Sequence, residues 1–511
     1  MRDEKYKSYL QDESRLTGYA DDITFPTDAA QVESAIRRAA GLGLTLTVQG
    51  ARTGIVGAAV PNSDAILNMS DMKSINGLSV DDGGVFYVTL EPGVTLADLN
   101  DAIARKSFNT DGWSDESLDA LEKLKQSKEQ FFPPNPTEAS ATIGGIFASN
   151  AQGPTAFYYG DTARYIQSVS VILANGKNWE IERGKYIFDE NGITLPDGEV
   201  FKVNTSCLDP VCHCLIPQTG MDLLDLFAGS EGVLGVVTSL TLRLKKAPVN
   251  HWGLMFFFDE LSWALAFSQA IKENVCGIIE AVELFDKASL NIINHMRGLV
   301  TALDAIPDLP PSSQAAVYVQ IATENDDETE NTEEALSSIL DLFVECGGKE
   351  DDTWAAEGYE EMRKFRLFRH AVPEGCNSRI DEIRASYQIR NKMATDFSVP
   401  PDRLGEAADM YRLGMKDRKI EGVIFGHAAV GRLHVNLFPK TDEQFEEGWA
   451  LIDEWADKII SMGGKLADEN GVGKIRREFL ARHIPKDQMD IMKTVKNFFD
   501  PKGILNPGNM I

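Results

Sequence analysis

Apolar and polar residues alternate over Leu44-Thr45-Leu46-Thr47-Val48, which puts Leu44, Leu46 and Val48 on one face, as a half-buried strand requires. The strand runs into a loop over 49–61 that holds Gly50, Gly54 and Gly57. Before it, Thr27-Asp28 caps a predicted helix over 31–40, ended by Gly41 and Gly43. After it come a strand over 85–90, a Glu91-Pro92-Gly93 turn and a helix over 96–104 capped by Thr95. Residues 106–130 are polar and read as an exposed, partly helical insertion. Residues 168–182 read as a hairpin turning at Asn175-Gly176. The turn Gly229-Ser230-Glu231-Gly232 precedes another alternating strand, which ends near Leu244.

Past Lys245 the pattern changes. It predicts strands over 252–258 and 316–323 and helices over 262–274 and 334–345, with a solvated acidic run over 324–334 between them. Strands alternating with helices suggest an α/β cap domain over 246–460.

Length and charge narrow the classes. A chain of 511 residues with 43% hydrophobic content suits two or three domains with substantial cores. A net charge of −28 and a pI near 4.7 disfavour nucleic acid and anionic membranes, and favour solubility or a basic protein partner. An anionic substrate then needs a locally basic pocket. The N-terminus has no apolar core of a signal peptide, and no apolar run approaches a bilayer span. Six cysteines in so long a chain do not make a disulfide scaffold. Cys207, Cys212 and Cys214 cluster around His213 at a spacing that is not a standard zinc or iron–sulfur pattern, and read as a local insertion with reduced thiols. A cytoplasmic location is the simplest expectation.

Several stretches carry candidate chemistry. Glycines in the 49–61 loop let backbone N–H groups converge as an anion nest, to which Arg52 adds charge and Thr53 a hydroxyl. The loop is neither a G-x-G-x-x-G fingerprint nor a P-loop, and alone it is equally an ordinary connection. Pro133, Pro134 and Pro136 hold an extended entry to Thr142-Ile143-Gly144-Gly145, where the backbone approaches something closely. GHAAVGRLHVN, over 426–436, places His427 and His434 seven residues apart, and ADENGVG, over 467–473, offers Asp468 and Glu469. Two imidazoles and a carboxylate suit a divalent cation with open positions. On spacing alone a hydrogen-bonded His pair competes with that reading.

Taken together and in this order, the first Gly loop, Pro134-x-Pro136 with Thr142-Ile143-Gly144-Gly145, and Gly229-Ser230-Glu231-Gly232-x-Leu234-Gly235 resemble the FAD-binding domain of the vanillyl-alcohol oxidase/p-cresol methylhydroxylase flavoproteins. GHAAVGRLHVN resembles the G-H-x-G-x-x-x-L-H-x-N motif of their FAD-linked D-lactate, glycolate and D-2-hydroxyglutarate dehydrogenases. ADENGVGKIRREFL resembles the E-H-G segment of the same branch. Residues 366–374 and 396–400 are similar to its D-lactate dehydrogenase-like members, and 500–508 to its C-terminal flavin-edge motif.

The resemblance implies an α+β fold. A two-subdomain PCMH-type FAD-binding domain occupies 1–245, a ferredoxin-like α/β cap 246–460, and a C-terminal segment over 461–511 returns to the flavin. It implies FAD on Gly50, Ala51, Arg52, Thr53, Gly54, Gly57, Ala58, Pro134, Thr142, Gly144, Gly145, Ser149, Asn150, Glu231, Gly232, Gly235, Val236, Val237 and Asn506. The loop lacks the His that often links flavin covalently in the family, so FAD is expected to be non-covalent. His427, His434 and Glu469 carry over as ligands of a divalent metal (Zn, Fe or Mn), and Arg366 or Arg369 as the clamp on a substrate carboxylate. The implied reaction is oxidation of a D-2-hydroxy acid, D-lactate first, with a quinone, cytochrome or flavoprotein as electron acceptor and a possible homodimer.

Three departures bear on this. The family's E-H-G histidine, its proton acceptor, is Asn470 here, and Ala429 and Val430 replace its usual Gly and polar residue. An amide has no useful basicity near neutral pH, so metal with water or another His such as His370 would take the proton. Alternatively the substrate differs, or the chain is a non-catalytic FAD-carrying subunit of an electron-transfer complex.

Overall fold

The computed structural model describes residues 4–207, 210–212, 215–275, 278–325, 329–387 and 391–511. The chain divides into two compact units: Met1–Gly153, Gly160–Ala247 and Glu469–Ile511 form the first, Pro154–Tyr159 and Pro248–Asp468 the second.

Beside two short two-stranded pairs, the first unit holds two larger sheets. One is parallel, with Asp22–Thr24, Ala65–Asn68 and Leu46–Gln49 in that spatial order. The helix Ala29–Leu42 covers it. Asp28 caps this helix by accepting from the Gln31 N–H, and Gly43, at φ 69°, ends it in the left-handed region. Its period-3.6 apolar face (Val32, Ile36, Ala39) packs with Leu46, Leu67, Ile504 and Leu505. The C-terminal segment thereby enters this core, and Leu505 bridges in parallel to Leu46. The other sheet is antiparallel, in the order Ile75–Val80, Phe86–Leu90, Gly235–Arg243, Ile166–Leu173, Asn178–Glu182. The polar insertion folds as the helix Asp115–Gln126, and Trp113 just before it donates from its indole to the Ile75 carbonyl at 2.8 Å.

The second unit is built on a seven-stranded sheet, in the order Thr353–Glu357, Asn250–Phe258, Ala315–Thr323, Ile278–Asp286, Glu421–His427, His434–Phe438, Met393–Ala394. Every pairing in it is antiparallel. The long helix Arg363–Ser386 turns Phe365, Phe368, Val372 and Cys376 to the core. The helix expected over 334–345 begins earlier, at Thr329 within the acidic run, and residues 326–328 of that run lie outside the described residues. Among the described residues no helix is long and apolar enough to cross a membrane.

Candidate active site

In the first unit the Gly loop is drawn up against the 142–150 segment. A Cβ at Gly50 would sit 2.2 Å from Thr142 Oγ1, so only glycine permits that approach. The Gln49 amide holds the loop by donating to the Tyr9 and Ala59 carbonyls, at 2.8 and 2.6 Å. Arg52, at φ 63°, stacks its guanidinium 4.2 Å over the Tyr9 ring. The side of Gly54 faces open space. Ala51, Thr53 and Ala58 are half-buried in the same loop, and Gly57 is buried at φ 75°.

Thr142 caps the helix Ile143–Ser149. Its hydroxyl is buried with no hydrogen-bond partner among the described residues. The N–H groups of Ile143 and Gly144 are taken by the Val94 and Pro92 carbonyls, and a Cβ on Gly144 would meet Pro92 at 2.5 Å. Gly144 therefore serves a close approach of two backbone segments, while Gly145 lies 3.1 Å from the Thr142 hydroxyl by the same measure. Pro134 is buried, and Ser149 returns its hydroxyl to the Gly145 carbonyl. Asn150, left-handed at φ 47°, spans to Asp161 and the Ala163 N–H.

Glu231 is also left-handed (φ 50°) and buried. Its carboxylate accepts the N–H groups of Val472 (2.6 Å) and Gly473 (2.9 Å). Burial raises its pKa despite those bonds. Its carbonyl accepts from the Asn506 amide at 2.5 Å, and Asn506 Oδ1 accepts from the Val48 N–H at 2.6 Å. Glu231 and Asn506 thus tie the Gly232 turn, the first strand and the C-terminal segment together. Gly235, Val236 and Val237 pair with Leu173, Ile172 and Val171 in the antiparallel sheet.

In the second unit Glu421–His427 and His434–Phe438 form a hairpin around the turn Ala428–Val430 and Gly431 (φ 73°). A Cβ on Gly431 would strike the Val399 carbonyl at 1.9 Å, so the turn needs glycine there. The hairpin brings the rings of His427 and His434 to a centroid distance of 5.8 Å, nearly perpendicular at 88°. Glu283 is the direct cross-strand partner of His427 and has its Oε1 3.0 Å from His427 Nδ1. Its other oxygen accepts from Arg369 Nε. Burial alone would raise the Glu283 carboxyl; the Arg369 and His427 charges reverse this and hold it at about 2.

Arg369 spreads over the Tyr318 ring at 5.4 Å. Arg366, one turn earlier on the same helix, lies 3.9 Å over the Tyr359 ring and donates to the Tyr359 carbonyl at 2.8 Å. His370 is half-buried on that helix.

The second unit ends at Asp468, held by Arg432 and, through its N–H, by Asp396 at 3.2 Å. The next residue along the chain is Glu469. One donor atom each from His427, His434 and Glu469 lies within 4.8 Å of the others, the one such His/Cys/Asp/Glu group among the described residues. Two imidazoles and a carboxylate at that spacing fit a borderline divalent cation and leave coordination positions for a ligand. Asn470 follows, half-buried, before the left-handed Gly471. Cys207 is half-buried and Cys212 buried, while His213 and Cys214 lie outside the described residues.

Glu283 is absent from the motif reading because its strand, Ile278–Asp286, is absent from it. The available signal is two carboxylates, Glu280 and Glu283, inside the apolar run IIEAVELFD ahead of its terminal Asp286, where each needs a partner. Glu280 finds three: the Tyr159 hydroxyl (2.5 Å), the Gln320 amide (2.6 Å) and His251 (3.3 Å). That places Tyr159 in the polar interior of the second unit, while Tyr158 donates to Glu324.

Two family profiles identify the chain as an FAD-linked oxidoreductase. A profile described as FAD linked oxidases, C-terminal domain, matches residues 251–510, and one described as FAD binding domain matches 20–111 and 116–182. The chain belongs to the FAD-linked oxidases, in the PCMH-type flavoprotein family and its D-lactate/2-hydroxyglutarate dehydrogenase-like branch. It is 25% identical to a D-lactate dehydrogenase of Anaerostipes hadrus, over 99% of this chain and 93% of that protein. It is 24% identical to one of Archaeoglobus fulgidus (96% and 91%) and 25% to a D-2-hydroxyglutarate dehydrogenase of Stutzerimonas stutzeri (96% and 90%). Among solved structures it superposes on alkyldihydroxyacetonephosphate synthase with a TM-score of 0.59 at 15% identity, covering 95% of this chain and 75% of that one. At that identity the likeness is one of fold.

Proposed function

We propose that the protein is an FAD-dependent dehydrogenase that oxidises a D-2-hydroxy acid, D-lactate first, to the 2-oxo acid. The observation that carries this is the His427–His434–Glu469 group in a chain of this flavoprotein family. Bound non-covalently, FAD would supply the hydride acceptor, and a divalent metal would supply the charge that acidifies a hydroxyl. The chain's own part is holding and orienting. The three donors fix where the cation would lie, and the Arg369 guanidinium, paired with the same Glu283 carboxylate that lies 3.0 Å from His427 Nδ1, is the cationic fork suited to the substrate carboxylate. In the balanced reaction C2 loses a hydride and the hydroxyl a proton. Asn470 cannot take that proton, so it passes to water or to an imidazole, for which His370 is the candidate. The electron acceptor is a quinone or a carrier protein.

The purified protein should be yellow and should bleach anaerobically with D-lactate when metal-replete. If a panel of D- and L-2-hydroxy acids leaves such a sample yellow, the dehydrogenase reading is wrong. Asn470 favours one second reading, a non-catalytic FAD-carrying subunit, and that same outcome combined with co-purifying electron-transfer partners would support it. His427→Ala should remove metal and activity and leave FAD bound.

A further inference from the structure

We infer that Glu283 is a positioning residue of the metal site: its carboxylate, 3.0 Å from Nδ1 of His427, favours the proton on that nitrogen, so that Nε2 is the nitrogen offered to the cation, and the same carboxylate fixes Arg369. This rests on the metal-assisted reading above. Glu283 does not belong to the three-donor group, so it acts through its neighbours.

The geometry is specific. Glu283 lies on a strand flanked on both sides by others, buried at 6% exposure, directly opposite His427 in the antiparallel ladder. Its two oxygens are divided, one 3.0 Å from His427 Nδ1 and the other on Arg369 Nε. A neutral imidazole has one N–H and one lone pair. A carboxylate oxygen 3.0 Å from Nδ1 repels a lone pair on that nitrogen and favours the proton there, which leaves the lone pair on Nε2. Carboxylates set behind metal-binding imidazoles typically matter by 10–100-fold in affinity. A charge buried in an apolar strand is costly unless it is fully paired, and here the pairs are a ligand and a clamp candidate. One carboxylate therefore sets two groups that must be in register for a chelating hydroxy acid.

Glu283→Gln is nearly isosteric but has one acceptor oxygen. That oxygen satisfies Arg369, and the amide NH2 then faces His427 Nδ1 and reverses the tautomer. Long-range 1H–15N spectra of the full-length, FAD-loaded, metal-free protein read the tautomer at a pH where the ring is neutral, with the His427 signals assigned by their loss in His427→Ala. Titration with Zn2+ alone reads affinity. Wild type should show Nδ1–H, Glu283→Gln should show Nε2–H with zinc affinity lowered about 10–100-fold, and Glu283→Asp, which keeps two acceptors, should hold the wild-type tautomer. Nε2–H in wild type overturns the inference even if no variant folds. So does a Glu283→Gln protein with unchanged tautomer and a zinc constant within about twofold of wild type. If wild type itself fails to bind zinc, the metal reading falls, a result distinct from either of these.

Discussion

Arg432 grips Asp468 from two sides, through Nε at 3.1 Å and Nη2 at 2.5 Å onto the same carboxylate oxygen, with the Arg432 side chain 3% exposed. Asp468 immediately precedes Glu469, so this pair anchors the chain one residue before a candidate metal ligand. Replacing Arg432 with Met removes this ion pair from a largely buried carboxylate. Such breaks cost about 3–5 kcal/mol. We expect a lowered melting temperature together with weaker Zn2+ binding. Asp468→Asn should compensate in part, so that the double variant is less damaged than the sum of the singles. Strict additivity in a thermal-melt cycle would show that the two side chains act independently.

Asn470 stands where the resembling dehydrogenases have a basic imidazole. If that chemistry persists, Asn470→His adds a proton acceptor beside Glu469 and should raise kcat on D-lactate, within the 100- to 10,000-fold range general bases contribute (on the order of 10² to 10⁴). The change should appear in kcat more than in KM, because proton removal belongs to the chemical step. Stopped-flow flavin reduction reads it directly, and an unchanged or lower rate would mean that the site is rebuilt around the amide.

Local signals carried much of this fold. Asp28, Thr95 and Gly43 act as the caps and stop that their residue types announce, and the 235–243 alternation is a strand. The motif residues His427, His434 and Glu469 do converge. What local pattern could not supply were partners distant in sequence. Arg369 reads equally as a surface cation or a clamp until Glu283, 86 residues away, is seen beside it. Tyr159, at the end of the short helix Ala156–Tyr159, looks like ordinary aromatic core until Glu280 arrives from the strand Ile278–Asp286. The strand Ile278–Asp286 itself is a nearly continuous apolar run, which periodicity does not distinguish from a buried helix.

Gly50 and Gly54 separate two roles of one loop. Alanine at 50 would drive its Cβ into the Thr142 hydroxyl, whereas alanine at 54 meets nothing within 4 Å. Gly50→Ala should therefore lower the melting temperature of FAD-free protein, by about 1–3 kcal/mol in stability. Gly54→Ala should leave the FAD-free melt unchanged and weaken FAD retention alone if the loop cradles the pyrophosphate. Differential scanning fluorimetry with and without FAD distinguishes the two. Unaltered FAD affinity in Gly54→Ala would argue against a cradle at that position.

The pH dependence of stability should carry the mark of Asp286, which caps the helix Lys287–Arg297 from a half-buried position. Burial raises its carboxyl from 3.8 to about 6, against the opposing bonds from the Ser289 N–H and hydroxyl. Between those two values the folded protein keeps a proton that the unfolded chain releases. Stability contributed by this group is therefore present below 3.8, falls as pH rises through 6, and is constant above. Asn caps a helix without carrying charge. Asp286→Asn should thus match wild type near the acid end and exceed it at neutral pH by about 1–3 kcal/mol, or a few degrees in melting temperature. Asp12, also raised to about 6 by burial, slopes the same way in both proteins, so it cancels in the comparison. A wild-type-to-variant difference that stays the same at both ends of the range would show that the Asp286 carboxyl ionises as freely in the fold as in the unfolded chain.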